Sequence, residues 1–256
     1  MQPLLMISSE QTIGSHIIHF AQVDSTNVEA KRLIDKGEAK EGLVITTDLQ
    51  TQGRGQFGRV WESEVGLNVM MSVVVSPLFI KVADQFALNI WSSLSVAEVV
   101  SEYCDSVKVK WPNDVYVQDK KIAGILIQNY IQGDRIKHSI IGIGLNLNQS
   151  TWPDEIPNAT SLSIESGQTL EKKVIINALC QKLDIRYKRL SIDAKTMYGE
   201  YEKNLFRKDE LSKFEKEGSR LEGTIKGIDD TGRLLVNHNS TIHAYNHGEI
   251  SHVIRK

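Results

Sequence analysis

The chain is short of cysteine, of long apolar runs and of net charge, and each shortage removes a class of function. Its only cysteines, Cys104 and Cys180, lie far apart and in no metal or redox spacing, which fits reduced, buried thiols in a cytoplasmic protein. No stretch reaches the ~18 consecutive apolar residues of a membrane span. The first residues, Met1-Gln2-Pro3-Leu4-Leu5-Met6, carry neither a basic n-region nor a long apolar run, so no secretory signal is expected. Thirty basic residues stand against 32 acidic ones, net −2, and no global field draws the chain to nucleic acid or to a membrane surface.

What is present describes an ordinary globular protein: 256 residues, 41% hydrophobic and 24% charged, enough for one large domain and one small one. The most distinctive stretch is Gly53-Arg54-Gly55-Gln56-Phe57-Gly58-Arg59-Val60-Trp61. Its glycines let the backbone approach a ligand, and its arginines supply permanently charged donors for phosphate or carboxylate. The stretch also matches G-x-G-x-x-G, but a dinucleotide fingerprint opens a helix. Here Leu43-Val44-Ile45-Thr46-Thr47 precedes it, and the β-branched run from Leu67 to Val75 follows. The loop is therefore expected to join two strands.

Taken in order, Ile17-Ile18-His19-Phe20 reads as a first strand, and Asp24-Ser25-Thr26-Asn27 as the cap of a helix ending at Gly37. Thr26 and Glu29 have capping-box spacing. The same four polar residues could instead hydrogen-bond a small ligand. The segment from Ala83 to Tyr103 has too many apolar residues for one stripe and predicts a helix buried against a sheet. Val107 to Val117 reads as two short strands broken at Pro112, with further strands from Lys121 to Gln128 and from Ile140 to Asn148. Gly124, Gly142 and Gly144 inside those strands suggest a flat ligand against bare backbone; a bulge or tight crossing would explain each one separately. A polar connection at 149–170 leads to helices at about 171–190 and 195–206, and the composition shifts at Arg207-Lys208-Asp209-Glu210. Beyond it, strands at 221–228, 234–237 and 242–245 predict a small β-barrel, dividing the chain into 1–208 and 209–256. His238, His243 and His247 bring no cysteine or acidic partner in ligand spacing, so no metal site is expected there.

Five segments in order carry a resemblance: Asp24-Ser25-Thr26-Asn27, Gln50 with the Gly-Arg-Gly loop, Lys110-Trp111-Pro112-Asn113-Asp114, Lys121-Ile122-Ala123-Gly124-Ile125-Leu126, and Gly142-Ile143-Gly144-Leu145-Asn146. The set resembles biotin protein ligases, and the tail at 220–250 resembles that family's C-terminal SH3-like barrel. The resemblance implies an α/β (α+β) fold: a mixed-sheet catalytic domain of the biotin/lipoyl ligase type, class II synthetase-like, with the small barrel appended.

It also implies a two-step reaction. Biotin's carboxylate attacks the α-phosphate of ATP with Mg²⁺, giving biotinyl-5′-AMP and pyrophosphate; a lysine of a biotin carboxyl carrier protein, as in acetyl-CoA carboxylase, then displaces AMP. On this resemblance Ser25, Thr26, Asn27, Gln50, Gly53, Arg54, Gly55, Gln56, Lys121, Gly124 and Gly142 would bind biotin. Arg54, Arg59, Trp61, Lys110, Asn113, Asp114, Lys121, Asn146 and Trp152 would bind ATP or the adenylate, with Trp152 covering the adenine. Lys121, Arg54 and Asp114 would be catalytic, and Asp114 would also hold Mg²⁺ or orient the incoming amine. Biotin and ATP would be substrates, with no tightly bound prosthetic group, and the protein would be a monomer or a homodimer.

Two departures from the family pattern matter. Gln56 stands where many members have a further arginine. Only 23 residues precede Asp24, too few for the winged-helix DNA reader of family members that double as repressors, so a monofunctional enzyme is expected. The glycine loop is expected to be mobile until an anion arrives. Of the rival readings, a lipoate or octanoate transferase would carry Arg-Arg-x-x-Gly-Gly-Gly-x-Val and His-Asp signatures, which are absent. A binding module without chemistry would have no use for Lys121 and Asp114 beside an arginine-glycine loop.

Overall fold

The structure, a computed structural model, describes residues 11–253; the Met1–Met6 segment lies outside them. Strand β1 (Ile17–Val23), helix α1 (Thr26–Asp35) and strand β2 (Val44–Gln50) form a crossover unit in which the two strands run parallel. Strand β3 (Val69–Val75) is antiparallel to β2, and the β2–β3 connection carries the glycine loop, as expected. Strands β4 (Val107–Lys110), β5 (Asp114–Val117), β6 (Lys120–Gln132) and β7 (Arg135–Leu145) follow as antiparallel hairpins. The seven strands form one mixed sheet in the order β1-β2-β3-β7-β6-β5-β4.

β3 is central and covered on both faces, which is why it reads as a near-continuous apolar run. Met71, Val73 and Val75 join the main core, while Val74 points the other way and packs with Ala30 and Leu33 of α1. β7 alternates likewise: Ile141, Ile143 and Leu145 enter the core, and Ile140 meets the α1 cluster. By the period-2 rule Gly142 and Gly144 then face the side of α1, leaving a strip without side chains beyond that helix's N-terminus.

The opposite face is covered by α2 (Phe86–Ser101), α4 (Lys172–Leu190) and α5 (Ala194–Lys203). α2 has twelve of its sixteen residues buried, as its all-round apolar pattern predicts. Its buried Ser92, Ser93 and Ser95 donate their hydroxyls to carbonyls of their own helix, at 2.7, 2.6 and 2.7 Å, so no polar group is stranded.

Two local expectations fail. The connection at 149–170 contains a short helix, α3 (Leu162–Ser166), capped by the Ser161 hydroxyl and closed by Gly167 at φ +71°. A helix of five residues is too short to display a 3.6 period. The capping box of Thr26 and Glu29 does not form: Ser25 is the N-cap residue and makes no side-chain cap bond, while Glu29 pairs with Arg32 at 2.8 Å. Thr26 begins the helix instead and turns its hydroxyl to Gln50, a tertiary partner.

The C-terminal part is a five-stranded antiparallel sheet, β8 (Leu211–Lys216), β9 (Ser219–Ile228), β10 (Leu234–His238), β11 (Thr241–Tyr245) and β12 (Ser251–His252), in the order β11-β10-β9-β8-β12. β8 and β12 go beyond the three strands read from the pattern. β8 buries only Ser212 and Phe214, and the charged Lys213, Glu215 and Lys216 around them mask it; β12 has two residues. This sheet shares the main core through Phe214, Ile225, Leu234 and Val236. The Trp111 indole donates to Gly232 O at 2.9 Å and the buried Tyr201 hydroxyl to Pro112 O at 2.9 Å, so the β4–β5 turn is held from both sides.

Candidate active site

A cleft of about 470 Å³ lies between the glycine strip, the β2–β3 loop and the C-terminal sheet. Its inner end is a buried polar cluster. The Thr26 backbone N–H and hydroxyl both donate to Gln50 Oε1, at 2.9 and 3.1 Å. The Ser72 hydroxyl lies 2.7 Å from Thr26 Oγ1 and 2.6 Å from Asn27 Oδ1, and its one proton serves either. Asn27 Nδ2 in turn donates to Leu126 O at 3.3 Å and Gln128 Oε1 at 3.2 Å. With Ser25 also buried, the N-terminus of α1 is locked to β2, β3 and β6 by side chains in fixed orientations, an arrangement that suits a small polar ligand. Ser72 is the one polar residue of Val69–Val75, a signal in the sequence that the strand pattern obscures.

The glycine loop is a hydrogen-bonded hairpin. Trp61 N–H donates to Gly53 O at 3.1 Å, Gly55 N–H to Arg59 O at 2.7 Å and Arg59 N–H to Gln56 O at 3.1 Å. A single 3₁₀ turn, Gln56–Gly58, forms its tip, with Phe57 at φ +54°. The hairpin returns the Trp61 indole onto the sheet, where it lies over Gly124 and Gly144. A Cβ on Gly144 would come within 2.4 Å of the indole, and one on Gly124 within 3.0 Å of it and 3.1 Å of Lys121 Nζ. A Cβ on Gly142 would stand 2.3 Å from Asn27 Oδ1. The strands do need the space, but two protein side chains, Trp61 and Asn27, take it. The Trp61 Nε1 is buried and has no hydrogen-bond partner.

The outer end is cationic. Arg54, Arg59, Lys110 and Lys121 line the cleft with a single carboxylate, Asp114, so positive charge is in surplus and an anion would be drawn in. Lys121 Nζ is 2.7 Å from Asp114 Oδ1 and 5.6 Å from the centre of the Trp61 ring. A β-bulge puts it there. Asp114 pairs with Gly124 and Val115 with Ala123, but Tyr116 pairs with Lys121, leaving Ile122 as an extra residue in β6. In a regular strand Lys121 and Gly124, three apart, would face opposite sides of the sheet; the bulge at Ile122 brings them to the same side. The backbone of Lys121 is pinned as well, its N–H donating to Asn158 O at 2.7 Å and its carbonyl accepting from Thr160 N–H at 3.0 Å. Burial lowers the Lys110 ammonium pKa, opposed by Asp114 and reinforced by Lys121 and Arg59.

Of the residues singled out from sequence, Ser25, Thr26, Asn27 and Gln50 line the inner end, and Arg54, Gly55, Gln56, Arg59 and Trp61 form the loop wall. Lys110, Asn113, Asp114, Lys121, Gly124 and Gly142 line the sheet side. Three do not line the cleft. Gly53 braces the base of the hairpin through its carbonyl. Asn146 is buried and spends its amide on Thr160 O at 2.9 Å. Trp152 belongs to the connection that pins Lys121.

The C-terminal sheet adds what sequence reasoning missed. His247 stands between Phe57, 4.7 Å away ring to ring, and Trp111, 5.6 Å away. Burial lowers its imidazole pKa, opposed by Asp114 and reinforced by Arg59 and Lys110. His252 lies between Phe206 and Phe214 with neither ring nitrogen partnered. Among the described residues no group of three or more His, Cys, Asp or Glu is placed to hold a metal ion. No helix among them is long and apolar enough to cross a membrane.

The biotin/lipoate A/B protein ligase family model matches residues 19–146, and the biotin protein ligase C-terminal domain model matches 213–253. The chain belongs to the biotin protein ligase family. Family membership is consistent with relatives along most of its length. It is 27% identical over 242 residues to the biotin–[acetyl-CoA-carboxylase] ligase of Mycobacterium tuberculosis, covering 91% of this chain and 87% of the relative. It is 34% identical over 182 residues to the bifunctional ligase/repressor BirA of Bacillus subtilis, covering 70% of this chain but only 55% of that longer protein. The biotin protein ligase from Aquifex aeolicus, solved in complex with biotin and ATP, superposes with a TM-score of 0.79 at 28% identity, covering 94% of this chain and all of that one.

Proposed function

We propose that this ligase-family chain attaches biotin to a specific lysine of a biotin carboxyl carrier protein in the cytoplasm, through biotinyl-5′-AMP, releasing pyrophosphate and then AMP. The observation that carries the reading is the continuity of the cleft. A fixed polar cluster (Thr26, Asn27, Gln50, Ser72) opens along a glycine strip onto a cationic end (Lys121, Arg54, Arg59, Lys110). Biotin has a matching sequence of parts: a polar ureido head, flat fused rings and a carboxylate tail. The Aquifex aeolicus relative, of the same fold, is solved with biotin and ATP bound, and the Mycobacterium tuberculosis relative is named for the acetyl-CoA carboxylase it modifies.

In the first step a carboxylate approaches a phosphate, anion on anion. Lys121 stands where the strip meets the cationic end and would exchange its bond to Asp114 for carboxylate and phosphate oxygens, offsetting the charge that repels them. Arg54, Arg59 and Lys110 would hold the remaining phosphates. Asp114, released from Lys121, would orient the incoming lysine amine. Asp114, the one carboxylate lining the cleft, is also the residue that would help hold a triphosphate-bound Mg²⁺, whose charge would offset that of the phosphates. For the rings to lie on the strip the Trp61 indole must shift, since it covers Gly144 and Gly124.

The reading is tested by supplying labelled biotin or labelled lipoate with ATP, Mg²⁺ and a carrier domain. Label entering the carrier lysine from biotin alone is the expected result. Label from lipoate, or from biotin without ATP, would refute it.

A further inference from the structure

We propose that His247 is a positioning residue which latches the 53–61 hairpin closed over the cleft, through an aromatic stack that joins the loop to the C-terminal sheet. The stack runs Phe57–His247–Trp111, with ring centres 4.7 and 5.6 Å apart, tilted in the first pair and edge-on in the second. Each member is held by a different part of the fold. Trp111 is fixed by its indole bond to Gly232 O at 2.9 Å. His247 sits on a turn braced by Glu249, whose carboxylate accepts from Asn246 N–H at 2.7 Å and from Asn246 Nδ2 at 3.0 Å. The next residue, Gly248, has φ +93°, and a Cβ there would come within 3.0 Å of the Phe57 ring. The turn thus offers Phe57 an imidazole and a bare glycine side by side.

Phe57 carries a second sign that it has been placed. It holds φ +54°, a left-handed conformation unusual for a bulky residue, which persists only where surrounding contacts determine it. It is nonetheless 68% exposed, so His247 and Gly248 cover one part of the ring and leave the rest open. A contact of that size holds a loop without locking it.

Composition explains why such a latch is needed. The hairpin carries Arg54 and Arg59, which repel each other, and the neutral Gln56 adds no attraction for an anion. An aromatic contact with the C-terminal sheet holds the loop by a force that does not depend on the ligand's charge. Burial, with Arg59 and Lys110 nearby, disfavours the charged imidazolium, which suits stacking.

The latch rests on the adenylate chemistry proposed above only for its purpose, and its existence can be read without substrates. Hydrogen–deuterium exchange of the full chain reports on the amides of Gly55, Arg59 and Trp61, each bonded within the hairpin. His247→Ala and Phe57→Ala should each raise exchange across 53–61 by roughly threefold to tenfold, the scale of one aromatic pair. The strands of the C-terminal sheet should stay protected, and His247→Phe, which keeps the stack, should remain at the wild-type level. With biotin and ATP supplied, release of biotinyl-5′-AMP should follow the same ranking. Unchanged exchange in His247→Ala and Phe57→Ala overturns the latch. So does a His247→Phe variant as open as the alanine variant, because the imidazole would then act through its nitrogens. A wild-type protein that forms no adenylate would sink the functional reading and leave the exchange result to decide the latch by itself.

Discussion

Lys121 Nζ and Asp114 Oδ1 stand 2.7 Å apart, brought to one face of the sheet by the single extra residue, Ile122, in β6. The two side chains are 32% and 24% exposed, so solvent screens the pair and as a stabilising contact it is worth little. Its value is positional, because it parks an ammonium where a carboxylate and a phosphate would meet. Lys121→Ala should therefore leave the fold intact and slow pyrophosphate release by about 10²–10³, the usual cost of one such stabilising group. Near-normal pyrophosphate release from this variant would remove Lys121 from the chemistry.

Gly142→Ala tests the inner cluster. The new Cβ would stand 2.3 Å from Asn27 Oδ1, forcing that amide away from Ser72. Each hydrogen bond lost or misaligned costs about 0.5–1.5 kcal/mol, so biotin affinity should fall about tenfold. Titration calorimetry would show it, and unchanged affinity would mean that Asn27 does not orient the ligand.

Retention of the intermediate separates charge from packing in the loop. Arg54 lines the cleft and is bridged to Val60 across the hairpin, whereas Gln56 is neutral. A charge-assisted hydrogen bond is roughly twice as strong as a neutral one. Arg54→Ala should release biotinyl-5′-AMP and label bystander proteins, and Gln56→Ala should do so only mildly. Equal leakage from the two variants would show that loop packing, not charge, does the holding.

His252 makes acid stability testable. Burial between Phe206 and Phe214 lowers its imidazole pKa from 6.5 to about 4. Because the folded pKa is the lower one, the unfolded chain binds the extra proton first. The stability tied to the neutral ring is fully present above pH 6.5 and is lost as pH falls from there to about 4. His252→Phe should keep the ring packing and lose that dependence. Melting temperatures at pH 7 and pH 5 should then differ less for the variant than for the wild type, and an equal difference would assign the acid sensitivity to other groups.

Much of this protein follows from the order of its residues. The all-round apolar pattern of Phe86–Ser101 dictates a helix buried on a sheet, and the β-branched run after the glycine loop dictates that the loop joins two strands. The five ordered segments place the polar, glycine-rich and cationic parts of one cleft, because each is a local chemistry that survives in a short window. Tertiary structure alone decided how those parts are used. Thr26 gives up a capping role available within its own helix for Gln50, and Asn146, as polar as Asn113, turns away to Thr160. The space over Gly124 and Gly144 goes to Trp61, and His247 meets Phe57 from the far end of the chain. Period and turn chemistry are written in neighbouring residues, whereas the occupant of a gap depends on the register of strands distant in sequence. A single inserted residue such as Ile122 reverses which side chains face it, and no local pattern reports that.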